Sequence, residues 1–189
     1  MQLIVPGGAG APPRPGRAGR QRLPPAFGVA AYSRRVVRSA ASDAGRDPMS
    51  IVPAMYLMVV TGRTSAEVDQ AVESEVIKAG ALNASDEFFA QHGAQHPLGA
   101  GFTGAQDLLP QDWDEQTALS YIKGIPPELV RDMYLAGTPD EVIDRAAQWR
   151  DCGVRYLVLA NVTMMQRSLR NGLAATVPFY KIVRGLKKL

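Results

Sequence analysis

Two short stretches of this sequence have the residue types and spacing of chemistry. "GAGFTG" at Gly99–Gly104 spells G-x-G-x-x-G, in which glycine turns bring backbone N–H groups to a dinucleotide pyrophosphate at a helix N-terminus. His92 and His96 stand four residues apart, a spacing that lets one helical face present two imidazoles to a metal. Both patterns lack their flanks. "FFAQHGAQHPL", Phe88 to Leu98, has no period-2 apolar run to deliver a strand into the glycines, and Pro110 follows soon after Gly104. The stretch therefore reads as a glycine-rich surface loop. Gly93 and Pro97 break the helix that would aim His92 and His96 at one ion, and no further ligand is evident, so no metal site is expected. The single cysteine, Cys152, has no histidine near it in sequence and reads as a packing residue at a helix end.

Composition narrows the classes further. The chain has 189 residues, 46% of them hydrophobic, enough for one domain with a core. No apolar run approaches the roughly 20 residues of a membrane span, so a soluble protein without stable membrane insertion is expected. One cysteine excludes an intramolecular disulfide and fits a cytoplasmic location. Residues 1–42 contain seven arginines and no acid, whereas residues 43–189 carry 14 basic and 18 acidic side chains. The high pI thus belongs to the N-terminal segment rather than to a basic surface on the body.

That segment, "MQLIVPGGAGAPPRPGRAGRQRLPP", is built from Gly, Pro, Ala and Arg and cannot bury enough apolar surface to offset chain entropy. Disorder is expected for Gly7 to Pro25. Its arginines come after its only apolar residues, the reverse of a secretory signal, and it is neither amphipathic nor Ser-rich as a transit peptide would be. No aromatic residue interleaves Arg14, Arg17, Arg20 and Arg22, which argues against nucleic acid as a partner. A misplaced start or a frameshift in a G/C-rich gene is the expected source of this mixture, and residues 1–35 are expected to be a tail foreign to the body.

From Val36 the texture is α/β. A helix ends near Ala44, with Gly45 as its stop and Pro48 beyond it. Ile51 to Val60 reads as a buried parallel strand covered on both faces. Thr64 and Glu67 form a capping box for one helix running to Gly80, with Val68, Ala71, Val72 and Val76 inward. Residues 81–131 look like an insertion with helical pieces in "SDEFFAQHG" and "DEQTALSYIKG", the kind of excursion that forms a lid or pocket wall. Thr138, Pro139 and Glu141 then start a helix with Val142, Ala146 and Trp149 on one face and Gly153 as its stop. "VRYLVLA" is a strand, a helix follows over roughly Met165 to Ala174, and "VPFYKIVRGLKKL" is a last helix whose Lys187 and Lys188 suit its C-terminal dipole. Two parallel strands leave edges unpaired, so the body reads as a piece of a larger sheet or barrel.

"AGTPDEVIDRAAQWRDCGVRYLVLANVT" resembles the closing unit of the luciferase-like monooxygenase family, and "VVRSAASDAGRDPMSIVPAMYLMVVTGRTSAEV" is similar to its penultimate helix and strand. The resemblance extends to the deazaflavin-dependent branch, the mycobacterial phthiodiolone dimycocerosate ketoreductases, and covers Val36 to Leu189. It implies an α/β fold, the C-terminal fragment of a (β/α)8 TIM barrel with its last two strands and their helices. It also implies coenzyme F420 as hydride donor to the keto group of a long-chain lipid, with FMN-dependent monooxygenase chemistry as the alternative within the family. The first six strands, which carry most coenzyme contacts in relatives, have no counterpart here, so a truncated chain, inactive alone, is expected; a non-enzymatic remnant or binding fragment is the reading outside enzymology. A lipid ketone is the implied partner, with a second copy or a complementing barrel half beside it.

Barrel enzymes place chemistry at the C-terminal ends of strands, here Val60 to Arg63 and Ala160 to Thr163. Asn161 and Thr163 are the polar side chains past the last strand, suited to bonding a carbonyl or a coenzyme hydroxyl. Lys123 and Arg131 are the cations that could meet a phosphate or polyglutamate tail. Phe88, Phe89, Leu98, Phe102, Leu108, Leu109 and Trp113 make the insertion apolar enough to face a lipid tail. No catalytic residue is assigned.

Overall fold

A computed structural model describes residues 26–52, 54–107, 113–151, 154 and 156–189, with side chains from residue 35 onward. The chain divides into two compact units, one of Met1–Tyr56, Arg145–Val158 and Leu189, the other of Leu57–Asp144 and Leu159–Lys188. The expectations for Gly7–Pro25, Leu108, Leu109, Cys152 and Gly153 lie outside the described residues.

In the first unit, helix α1 spans Ala26–Asp43 and so begins within the stretch 1–35 that the sequence set apart. It ends as anticipated at Gly45, whose φ of 68° suits glycine, with Gly45 N–H donating to Ser42 O and Arg46 N–H to Ala41 O, both at 2.9 Å. Asp47 then caps a 3-10 turn, Pro48–Ser50, through Met49 N–H.

Among the described residues three strands form one sheet, where the sequence suggested two: β1 (Ala54–Thr61), β2 (Leu135–Gly137) and β3 (Tyr156–Asn161), in the order β2-β1-β3. Strand β2 runs parallel to β1 with Val59, Val60 and Thr61 opposite Leu135, Ala136 and Gly137. Three residues are too few to show a strand period, which is why β2 was not legible. Its brevity also corrects the expectation of a strand covered on both faces. Only the paired end of β1, Val59–Thr61, is fully buried, while Tyr56 remains 55% exposed. In a sequentially wound barrel β2 would lie in the middle; here β1 does.

The second unit holds the main core. Helix α2 (Ser65–Val72) starts at the expected box, Glu67 N–H donating to Thr64 Oγ1 at 3.2 Å, and buries Val68, Ala71 and Val72. The single helix expected to reach Gly80 is broken: Ser74 adopts ψ 132° and begins α3 (Glu75–Ala81). The break turns the inward face, so Ile77 and Ala81 are buried in place of Val76. Helices α4 (Asp86–Gln91), α5 (Glu115–Lys123) and α6 (Pro127–Met133) follow. They correct the picture of a lid. Leu82, Phe89, Ile122, Ile125, Leu129 and Val130 share one cluster with Val60, Val68 and Val72, and Phe88 and Trp113 pack against it. The segment contributes to the core, and of the residues expected to face a lipid, Phe88, Phe89 and Trp113 are taken up by this packing.

Helix α7 (Pro139–Asp151) starts at the predicted box, Thr138 N–H and Oγ1–H both donating to Glu141 Oε2 at 2.8 and 2.9 Å. Val142, Ala146 and Trp149 are buried as expected. After β3 comes a 3-10 turn, Val162–Met165, and only then α8 (Leu169–Ala174), capped by Ser168. The helix expected from Met165 therefore begins four residues later, because Ser168 supplies the side-chain oxygen that Met165 lacks. Helix α9 (Thr176–Leu186) follows almost without interruption.

Candidate functional site at the strand ends

Strand β1 ends on Thr61, and Asn161 and Thr163 lie where β3 passes into its 3-10 turn. Thr61 N–H donates to Thr163 Oγ1 at 2.8 Å, and the two residues are 1% and 2% exposed. This bond ties the ends of the two segments together and engages the Thr163 hydroxyl as an acceptor of a backbone N–H. Around it are polar atoms with no protein partner: Thr61 Oγ1 and both Oδ1 and Nδ2 of Asn161, each buried. Asn161 holds the N-cap position of the turn, yet its side chain makes no cap bond. A buried polar group without a partner costs roughly 1–3 kcal/mol, so three such atoms at the strand ends single out this place among the described residues. A hydroxyl and a primary amide each offer a donor and an acceptor, the groups that recognise a carbonyl or the carbonyl and N–H edge of a heterocycle.

The sequence had named Asn161 and Thr163; Thr61 was inside the span Val60–Arg63 but was not singled out, and only its pairing with Thr163 reveals it. The two cations are elsewhere. Arg131 is ion-paired with Asp69 of α2, and Lys123 is exposed in the last turn of α5. Neither is bonded to the threonine pair.

The glycine-rich stretch and the histidines form a structural knot. Gly99, Gly101 and Gly104 have φ of 93°, 85° and 126°, and the loop folds back on α4: Gly101 N–H donates to Asp86 Oδ2 at 2.6 Å and Asp86 N–H to Phe102 O at 3.0 Å. His96 is 5% exposed and stacks on Phe102 with ring centroids 4.1 Å apart. Its Nδ1 accepts from Leu98 N–H and its Nε2 donates to Leu82 O, both at 3.2 Å, which fixes a neutral ring. Burial holds its pKa below the ordinary histidine value, against opposing contributions from the Leu82 carbonyl and the Asp86 charge. His92 faces Phe88 O at 2.9 Å and Asp132 Oδ2 at 3.1 Å instead. Among the described residues no group of three or more His, Cys, Asp or Glu could hold a metal ion.

Comparison with known proteins then places the chain. The sequence profile described as luciferase-like monooxygenase matches residues 23–156. The chain belongs to this family. Members use flavin-type cofactors such as F420 or FMN. The match begins inside the stretch 1–35, close to the start of α1. The chain is 61% identical over 160 residues to a protein of Mycobacterium sp. (strain JLS) named phthiodiolone/phenolphthiodiolone dimycocerosates ketoreductase, covering 84% of this chain and 42% of the relative. Proteins of the same name from Mycobacterium bovis (strain BCG / Pasteur 1173P2) and Mycobacterium kansasii are 52% and 50% identical, over 84% and 81% of this chain and 42% of each relative. The chain thus spans less than half the length of these relatives. No solved structure matches it. For a luciferase-like protein the orphaned atoms of Thr61 and Asn161 fit a flavin-type group, whose pyrimidine edge alternates carbonyl oxygens and ring nitrogens.

Proposed function

We propose that this chain forms part of the site of a cytoplasmic oxidoreductase that reduces the keto group of phthiodiolone-type long-chain lipids with coenzyme F420. The observation that carries the reading is the cluster of unpartnered buried polar atoms of Thr61 and Asn161 at the strand ends, in a chain up to 61% identical to proteins named for that reaction. Barrel enzymes assemble their sites at such strand ends; the order β2-β1-β3 departs from that of a sequentially wound barrel, so we take from the barrel only this placement of the site and assign the remaining sheet to residues corresponding to the rest of the relatives' length.

The chemistry is reduction of a carbonyl, with a hydride added to carbon and a proton to oxygen. A reduced deazaflavin, when bound, supplies the hydride. This chain's residues bind and orient. The Asn161 amide donates to and accepts from a heterocycle edge, Thr61 Oγ1–H donates to a carbonyl oxygen, and Thr163 fixes the Thr61 backbone that carries that hydroxyl. Holding donor and acceptor together in a site closed to water is the contribution that positioning makes to hydride transfer. Lys123 is the cation we assign to the anionic tail of the coenzyme, since Arg131 shares its charge with Asp69.

The test replaces the matched region of the full-length Mycobacterium sp. (strain JLS) relative with the corresponding residues of this chain. The expected result is ketone-dependent oxidation of reduced F420, with Asn161→Leu lowering kcat/KM about tenfold, the worth of one hydrogen bond of ~1.4 kcal/mol. Turnover of reduced FMN with oxygen would establish the monooxygenase reading instead, and turnover by the unextended 189-residue chain would refute the dependence on further strands.

A further inference from the structure

One series of exposed apolar side chains lies on a regular path. Leu169 (78% exposed), Leu173 (64%), Val177 (56%) and Tyr180 (61%) follow one another at spacings of four, four and three residues. Ala175, between α8 and α9, keeps a near-helical φ of −71° and ψ of −11°, so these spacings hold the four side chains on one side of a helical path. Met164 and Met165, 49% and 61% exposed, sit beside them, because Gly172 lets α8 approach the backbone of Met164 to a distance that a Cβ would crowd at 3.0 Å.

The charge pattern says what such a face suits. From Val162 to Leu189 the sequence contains six basic side chains and no acidic one. The balance of 14 basic and 18 acidic residues over 43–189 concealed this, since every acid of the body lies at or before Asp151. Among the described residues Arg167 is ion-paired, with Glu75 and Glu115. Arg170, Lys181, Arg184, Lys187 and Lys188 are exposed on the same two helices or just beyond them. Lys181 also lines, with Arg63 and Val177, a cleft of about 380 Å³ beside the stripe. Asp140 also lines that cleft, and Glu75 and Glu115 stand beside Arg167, but the side chains of the two helices themselves are basic; an apolar stripe flanked mainly by cations is complementary to a surface that is apolar within and anionic outside.

We propose that the α8–α9 face docks on an anionic phospholipid membrane, with Leu169, Leu173, Val177 and Tyr180 entering the headgroup boundary and Lys181 and Arg184 meeting lipid phosphates. No helix among the described residues is long and apolar enough to cross a membrane, so the contact is peripheral. The inference does not rest on the coenzyme or ketone reading, and its test contains neither.

The experiment is co-sedimentation of the 189-residue chain with phosphatidylcholine vesicles and with vesicles containing phosphatidylglycerol. Binding is expected to the anionic vesicles only and to weaken with added salt. Lys181→Glu with Arg184→Glu should weaken it by at least about 25-fold, taking roughly fivefold for each lost cation. Leu169→Ser with Leu173→Ser should abolish it, both changes being at exposed positions where circular dichroism should show an unchanged fold. Equal binding to neutral vesicles, or none to either kind, overturns the proposal. So does a dimer in solution that Leu169→Ser with Leu173→Ser dissociates, since the face would then belong to a second copy.

Discussion

The hydrogen bond from Thr61 N–H to Thr163 Oγ1 joins two threonines whose substitution should have opposite signs. Thr163→Val keeps the shape of the side chain and removes the acceptor, leaving the Thr61 N–H buried at a residue 1% exposed with nothing to bond. The cost is the desolvation of that N–H, roughly 1–3 kcal/mol, which at this chain length lowers the melting temperature by about 2–4 °C per kcal/mol. Thr163→Ser keeps the acceptor and loses one methyl, at about 0.8 kcal/mol. Thr61→Val is different, because Thr61 Oγ1 has no partner to lose. Removing an unsatisfied buried hydroxyl should leave stability unchanged or raise it, while in the chimeric reductase it should lower kcat/KM. Urea denaturation followed by circular dichroism orders the variants: T61V at or above wild type, T163S slightly below it, T163V lowest. A T163V as stable as T163S, or a T61V as damaging as T163V, would refute the assignment of donor, acceptor and orphan.

Three further outcomes follow from other contacts. His96 is neutral and its pKa is lowered chiefly by burial, so the unfolded chain binds more protons between the lowered value and 6.5; stability is full above about pH 6.5 and falls as pH drops through that window. Urea midpoints from pH 7.5 to 5 should show this slope in wild type and a flatter one in His96→Phe, and equal slopes would remove His96 as the cause. Gly80→Ala should destabilise although alanine is the better helix former, because its Cβ would collide with the Tyr134 hydroxyl that bonds Ile77 O; Tyr134→Phe in the same chain should recover part of the loss. Arg131→Gln should change stability by less than about 1 kcal/mol, since the Asp69 pair is open to solvent on the carboxylate side; a larger loss in thermal denaturation would give the pair a weight that its exposure does not suggest.

Local signals were legible wherever one residue type decides a local geometry. Gly45 ends α1, the Thr64 and Glu67 pair starts α2, and Thr138 with Glu141 starts α7, because caps are chemistry within a single turn. The family was legible from the closing helix and strand for the same reason, since those residues stand consecutively. The break at Ser74 was not, because the apolar period runs on through it and only packing selects Ile77 over Val76. The segment 81–131 was read as a lid because its helices are short; their shared core with β1 and α2 depends on residues far apart in sequence.

The sequence by itself determined the end of α1, the starts of α2 and α7, the α/β texture, the family and the polar identities of Asn161 and Thr163. Tertiary structure alone decided that Leu135–Gly137 is a strand, that β1 is central, and that Thr163 spends its hydroxyl on Thr61 while Asn161 keeps its amide unpartnered. The reason is range. Capping and periodicity act over three or four residues, whereas strand order and the partner of a buried hydroxyl are set by segments about a hundred residues apart, whose meeting no local pattern records.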